Sequence, residues 1–412
     1  MIDPPPLNPP QLVNELARDV HAAGGRALAV GGVVRDHLLG RQVVDWDIEV
    51  HELPEDQLYR LIRRLGQVDT VGRAFAVFKL TRGALTIDIS LPRTDSKAGP
   101  GHKGIAVRGD PFLGVHEASR RRDLTVNAIL YDLTEQTYID PFHGLVDLNA
   151  RRLRAVDAET FLEDPLRALR VVQFAGRLGA TPDAALLALC RQAPLHELPA
   201  ERIVGEWFKL LLSDQPSVGL QVARDAQILS RVFPGAPTDV GKALDRAATE
   251  RDQLAHVPRR LALMLTTWLY TATAHAVATT LDTLGIIRWD GYRLREAVVR
   301  AHATRHYPSD SDASLRHLAT LCEPYLVLTA RLAHRMDPNA ERHRDRAGAL
   351  GVLTDPEPPW VQGRDLLALG LKPGPRIGVV LGELYRDQLD RTHESRDSAM
   401  AAAARIVDEG AS

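Results

Sequence analysis

The residues best suited to chemistry come early in the chain. Gly31-Gly32 opens the run Val33-Val34-Arg35-Asp36-His37-Leu38-Leu39-Gly40, and Asp45-Trp46-Asp47 follows closely. Adjacent glycines at a strand–helix junction expose bare backbone that a polyphosphate can approach. Asp45 and Asp47 are two apart, so on a strand both carboxylates point to one face. Asp88, in Thr86-Ile87-Asp88-Ile89-Ser90, can supply a third carboxylate from a later strand. Mg²⁺ takes one or two carboxylates together with phosphate oxygens, so this order of residues points to a metal–triphosphate centre. Alone, a glycine pair is a turn and an Asp-x-Asp a solvated strand face. Their succession is what narrows the chemistry.

These residues need a rigid frame. Ala27–Val30, Asp47–Val50, Ala76–Leu80 and Leu85–Ile89 are short β-branched or alternating runs bounded by turn residues, which predicts strands. Val33–Leu39 and Glu55–Leu65 read as helices, the second with Leu58, Leu61, Ile62 and Leu65 at helical spacing. A short helix, Gln11 to Ala23, follows a Pro-rich arm. The mixture predicts an α+β head. Arg93 to Asp110, rich in Gly, Lys, Ser and Asp, reads as a mobile loop, and long loops inside a domain tend to be functional. Within it Arg93, Lys97, His102 and Lys103 face either substrate or solvent. Beyond Phe161 the pattern is helical almost to the end.

In this arrangement the head resembles the DNA polymerase β-type nucleotidyltransferases. The form GGVVRDHLLGR with DWDIEV is similar to bacterial CCA-adding enzymes and poly(A) polymerases of the class II group. Further elements continue the resemblance in order. Arg121-Arg122-Asp123-Leu124-Thr125-Val126-Asn127-Ala128 resembles the family's RRDFTINA, which implies ribose and triphosphate contacts from Arg122, Asp123 and Asn127. Asp140-Pro141-Phe142-His143-Gly144 with Asp147-Leu148 resembles a hinge. Glu163-Asp164-Pro165-Leu166-Arg167-Ala168-Leu169-Arg170 matches EDxxR, and Glu201-Arg202-Ile203 with Glu206 and Lys209 its buttressing helix. Gly31, Gly32, Arg35, Arg122, Asp123, Asn127, Asp164, Arg167 and Arg170 are thereby the candidate nucleotide-binding residues. Asp45, Asp47 and Asp88 are the candidate catalytic carboxylates, with Asp45 and Asp47 as metal ligands. Gly363-Arg364-Asp365-Leu366 to Pro373-Gly374-Pro375 is similar to the family's C-terminal region.

Asp164 and Arg167 also have a reading of their own. Three apart, they would share one helix face. A carboxylate accepts from an exocyclic amine and a guanidinium donates to a ring nitrogen, so the pair can read cytosine or adenine and reject uracil and guanine. The bland alternative is a surface ion pair, such as Glu163 with Arg167, contributing about 0.3–0.5 kcal/mol.

At 412 residues the chain implies several domains, taken here as a catalytic head 1–157, a base-selecting helical neck 158–230, a helical body 231–350 and a tRNA-binding helical tail 351–412. A 45% hydrophobic and 25% charged composition is that of a soluble globular protein. Net charge is −2, so RNA binding has to come from local basic patches. Arg293, Arg295, Arg300, Arg305 and His306 form one candidate face for tRNA phosphates, with plain solubilising charge as the alternative. Arg120-Arg121-Arg122 is another. The absence of a long apolar run, the Pro-rich start and two isolated cysteines, Cys190 and Cys322, predict a cytoplasmic protein without export signal, membrane span or disulfide framework. No obligate protein partner is evident. The segment Arg259 to Leu269 looks like the central helix of the metal-dependent phosphohydrolase module found in many relatives. Thr266 and Thr267 stand where His-Asp belongs, which predicts a body of that shape without its metal ligands.

The resemblance implies addition of CCA to tRNA 3′ ends from CTP and ATP, by in-line displacement with two Mg²⁺ ions. CC-only, A-only or poly(A) addition remains open within that chemistry. So does a head that binds RNA without catalysis.

Overall fold

The computed structural model describes residues 4–70, 77–97 and 105–409. The chain divides into two compact units, Met1–Phe233 and Pro234–Ser412. The fold is α+β, with the sheet confined to the first unit. That unit runs α1 (Gln11–Ala22), β1 (Arg26–Val30), α2 (Gly32–Leu38), β2 (Trp46–His51), α3 (Glu55–Leu65), β3 (Gln67–Thr70), β4 (Val77–Arg82) and β5 (Leu85–Ser90). It continues through β6 (Arg93–Lys97), β7 (Ile105–Gly109), α4 (Val115–Arg120), β8 (Leu130–Asp132), β9 (Thr137–Ile139), α5 (Gly144–Asn149) and β10 (Arg152–Leu153). Then come α6 (Ala158–Glu163), α7 (Leu166–Leu178), β11 (Thr181–Pro182), α8 (Ala184–Gln192), α9 (Ala200–Leu211), α10 (Pro216–Asp225) and α11 (Ile228–Val232).

Seven strands pair in the order β3-β4-β5-β2-β1-β8-β9. The β2–β5 pairing is parallel, which sets Asp47 directly beside Asp88. On the other side of Asp88 the antiparallel β4 places Lys79 opposite it. Partners opposite one another share a sheet face, so three strands deliver Asp47, Asp88 and Lys79 in one row. Trp46, Ile48 and Val50 alternate with them and are buried. The buried stripe Leu12, Val13, Leu16, Ala17 and Val20 packs α1 against β1 and α3, and Leu58 and Ile62 anchor α3.

Three expectations need correction. Arg93 to Asp110 is not wholly a loop: β6 and β7 pair as an antiparallel ribbon from Arg93↔Gly109 to Lys97↔Ile105. Ile105-Ala106-Val107 carries β propensity, whereas Thr94-Asp95-Ser96 hides it. His102 and Lys103 fall outside the described residues, as does Ala76 at the expected start of β4. Asp45 is not on a strand either, because β2 begins at Trp46. Asp164 is not helical. It lies between α6 and α7 with φ −117° and ψ 105°, since the ring of Pro165 disfavours helical backbone in the preceding residue.

Helix α7 is the spine of the neck, packed on α9 and α10. A Cβ on Gly219 would stand 2.2 Å from Leu210 Cδ1 and 2.5 Å from Val172 O, and one on Gly176 2.6 Å from Ser213 Oγ. Only glycine permits so close an approach.

The second unit is helical: α12 (Gly241–Arg251), α13 (Val257–Leu269), α14 (Ala274–Thr283), α15 (Leu294–Ala303), α16 (Asp312–Leu321), α17 (Pro324–His334), α18 (Ala340–Ala349), α19 (Gly363–Ala368), α20 (Pro375–Leu389) and α21 (Arg396–Glu409). Helix α13 is its centre, packed on α12, α15 and α17 and carrying the buried Thr266 and Thr267. The last three helices close a core of their own around Leu366, Val380, Leu384 and Ala403. The arginines expected to form a basic face are tied to neighbours, four of them to two carboxylates and a carbonyl. Arg293 and Arg300 meet Glu296 at 3.2 and 2.7 Å, Arg295 meets Asp282 at 2.8 Å, and Arg305 donates to the His302 carbonyl at 2.7 Å. Among the described residues no helix is long and apolar enough to cross a membrane.

Candidate active site

A cleft of about 960 Å³ opens between the sheet and α7. Its walls include Gly31, Gly32, Arg35, Asp47, Arg122, Asp123, Asn127, Asp164, Arg167 and Arg170, and every lining residue belongs to Met1–Phe233. Gly31 has φ +67°, a backbone setting that side chains resist, and a Cβ there would stand 3.4 Å from Arg122 Nη1. Bare backbone and a guanidinium thus share one wall.

Asp47 heads the acidic end. Partial desolvation raises its carboxyl above the ordinary range, and Asp88 and Asp45 push the same way, while Arg122 and Lys79 oppose them. Asp88 Oδ1 lies 3.2 Å from Lys79 Nζ, an ion pair on a half-exposed edge of the site. Like charges held together, with Asp88 and Asp45 both raising the Asp47 carboxyl, fit a hard divalent cation, which favours oxygen ligands. The three carboxylates do not close into one tight set, however. No group of three His, Cys, Asp or Glu side chains among the described residues is arranged to hold a metal by itself. Asp45, ahead of the strand and exposed, is the outlying member.

The middle of the cleft is a connected polar network. Asp123 Oδ1 accepts from Leu124 N at 2.8 Å and Asn127 Nδ2 at 2.9 Å, and its Oδ2 from Arg170 Nε at 2.7 Å. Asn127 Oδ1 in turn accepts from Arg35 Nη1 at 2.6 Å, and Arg35 also grips Asp36 at 2.8 Å. Arg35 and Arg170 both lie over the Phe174 ring, at 4.9 and 5.2 Å. The arrangement makes Asp123, Asn127 and Arg35 braces of the wall, with most of their hydrogen-bonding capacity already engaged.

Burial raises the Asp123 carboxyl, but Arg170 and the Asn127 hydrogen bond outweigh it and hold the group below the usual carboxylate range. An acid with a depressed folded pKa contributes stability above its unfolded value that is lost as pH falls through the depressed one. Asp123→Asn is expected to cost about 3 kcal/mol at pH 7 by leaving Arg170 uncompensated. The gap from the parent protein should narrow below about pH 4, where the unfolded Asp begins to hold its proton. Thermal unfolding at several pH values checks this. An equal gap at every pH would mean that the aspartate is not an ionised partner.

Glu49 is a residue that sequence reasoning passed over. It is fully buried two positions after Asp47, and its Oε2 meets Arg121 Nη2 at 2.8 Å and Arg122 Nη2 at 3.5 Å. Burial works against its charge, yet the His51 hydrogen bond and the Arg122 and Arg121 charges bring its carboxyl down to about 2. It seats the arginine pair from the same face of β2 as Asp47. The alternation Asp47, Glu49, His51 was the available signal. Lys79 was likewise missed, and only the strand pairing reveals it.

At the far end Asp164 takes two hydrogen bonds from Arg202, at 3.1 and 2.9 Å, and one from Leu166 N at 3.1 Å. Arg167 donates to Thr160 O at 2.7 Å and Arg121 O at 2.6 Å. Two backbone carbonyls thus hold this guanidinium. Both side chains are fixed by neighbours and both line the cleft.

Residues 27–154 match the poly A polymerase head domain, and residues 184–238 the probable RNA and SrmB-binding site of polymerase A. A multifunctional CCA protein of Aromatoleum aromaticum is 39% identical over 215 residues, covering 51% of this chain and 50% of that protein. One from Pseudomonas fluorescens is 39% identical over 213 residues, covering 50% of each. The chain thus spans about half the length of the curated relatives it matches. The Bacillus stearothermophilus CCA-adding enzyme, solved in complex with CTP, has a TM-score of 0.74 at 23% identity, covering 96% of this chain and 97% of that one. The Thermotoga maritima CCA-adding enzyme complexed with tRNA has a TM-score of 0.66 at 19% identity, covering 97% of each. Its head and the later part of its neck thus match poly A polymerase family models in order, and its fold is that of solved CCA-adding enzymes.

Proposed function

We propose that this protein is a template-independent nucleotidyltransferase that completes the CCA end of tRNA from CTP and ATP. One observation carries the reading: a single cleft unites bare backbone at Gly31 and Gly32, the carboxylate of Asp47 in register with Asp88, and the side chains of Asp164 and Arg167. The relatives above, CCA proteins and CCA-adding enzymes, agree with it.

In this reading Asp47 and Asp88 hold a divalent cation, Mg²⁺, with Asp45 at the edge of the site. The cation supplies charge neutralisation on the triphosphate and acidifies the attacking 3′-hydroxyl. Gly31 and Gly32 let the triphosphate reach the wall, and Arg122, steadied by Glu49, balances charge growing on the leaving pyrophosphate. Asp123, Asn127, Arg35 and Arg170 keep that wall rigid, so little reorganisation is needed during reaction. Asp164 accepts from the exocyclic amine of cytosine or adenine, and Arg167 donates to the neighbouring ring nitrogen. Residues 1–157 act as head, 158–230 as neck, 231–350 as body and 351–412 as a tail that grips tRNA, with the cytoplasm as the place of work.

The test is product length. Transcripts of tRNA ending before CCA, after C and after CC are incubated with labelled CTP and ATP separately and together. Completion of every end supports the reading. Addition of C alone or A alone reassigns the product, long A tails indicate a poly(A) polymerase, and no addition at all leaves an RNA-binding head.

A further inference from the structure

A second cavity of about 370 Å³ is lined by Arg41, Arg151, Arg152 and Arg177 with Asp147 and Asp214. We infer that it is a phosphate-binding site, separate from the nucleotide cleft and touching it only through Arg177, which lines both.

The charge balance is the first reason. Asp147 is fully buried and already committed: Arg152 Nε donates to Oδ1 at 2.7 Å, while Arg154 Nε at 3.0 Å and Thr125 Oγ1 at 2.7 Å donate to Oδ2. One carboxylate therefore answers two guanidiniums. Arg177 shares its partner as well, meeting Asp36 Oδ2 at 2.7 Å while Arg35 holds Oδ1 at 2.8 Å. Asp214, the remaining acid, is an exposed partner of Arg41 at 2.9 Å, where water and salt screen the pair. Positive charge is left over on a concave wall. Guanidinium forks match phosphate oxygens in geometry and charge.

The second reason is the position of Arg151. It follows the C-cap of α5 with φ +49°, and its guanidinium makes one long hydrogen bond, to the Leu178 carbonyl at 3.5 Å. It lies against Gly179, the left-handed C-cap of α7, where a Cβ would stand 3.0 Å from Arg151 Nη1. Among the described residues no carboxylate pairs with it.

The ligand is a phosphate group, from an RNA backbone phosphodiester or from free inorganic pyrophosphate. The RNA source rests on the proposed function; the pyrophosphate source does not. Arg151→Gly tests the site cleanly, because glycine accepts the positive φ without strain. The variant is expected to unfold at a temperature no lower than the parent. Arg41→Gln serves as a second variant on the opposite wall. Binding of fluorescent tRNA lacking CCA is read by anisotropy across a salt series, and binding of sodium pyrophosphate by calorimetry, on the full chain. If RNA supplies the phosphate, tRNA binding weakens roughly tenfold with a salt slope about one unit shallower, and pyrophosphate binding is unchanged. If pyrophosphate is the ligand, one class of its sites disappears and tRNA binding is unchanged. Unaltered affinity for both probes in both variants overturns the site. A parent protein that extends no tRNA, yet loses pyrophosphate binding in Arg151→Gly, refutes the proposed function and leaves this site standing.

Discussion

Asp47→Ala is expected to reduce nucleotide addition by about a thousandfold or more while leaving the unfolding temperature at or above that of the parent. The two halves of this result have one cause. Asp47 stands in register with Asp88 and close enough to Asp45 for both to raise its pKa, with desolvation the larger contribution. Ionised at neutral pH, it is a strained charge in the metal-free protein, and removing it relieves repulsion. In the proposed function the same carboxylate is the central oxygen donor for a cation, so its loss would remove the charge stabilisation on which transfer depends. Single-turnover rates with a tRNA ending in C, alongside thermal unfolding without added metal, measure both halves. Parent-like turnover would reject the metal assignment. A large drop in unfolding temperature would make Asp47 a structural residue.

Asp164→Ala should lower kcat/KM for CTP and ATP roughly a hundredfold and sharply narrow the preference over UTP and GTP. A site built to accept a hydrogen bond from an exocyclic amine loses its reason to prefer that base once the acceptor is gone. The carboxylate is well prepared for the task, since Arg202 clamps it at 2.9 and 3.1 Å and Leu166 N fixes one oxygen. The ratio of CTP to UTP incorporation is the discriminating readout. Were Asp164 only a brace at the α6–α7 junction, rates would fall for all four nucleotides and that ratio would hold.

The sequence made several elements legible because their signals are local. Helix α3 begins and ends where the Leu58–Ile62 spacing places it, and β1, β2 and β5 follow from β-branched runs. Asp47 and Asp88 could each be put on a strand for the same reason. Their side-by-side register could not be read, because it is set by parallel pairing of strands about forty residues apart, which no local pattern encodes. Asp164 was misplaced on a helix by counting three residues to Arg167, although Pro165 was the signal against it. Glu49 escaped notice because a glutamate in a strand looks solvated until the Arg121 and Arg122 charges arrive from another element. The ion pairs of the arginines around α15 were hidden in a similar way: Glu296 and Asp282, which meet three of them, come from the same helix and its neighbour.

The walls of the cleft come entirely from the stretch before Pro234. In the proposed function, chemistry and base choice therefore form a portable cassette, and exchanging the helices that follow would leave every wall residue of the cleft in place.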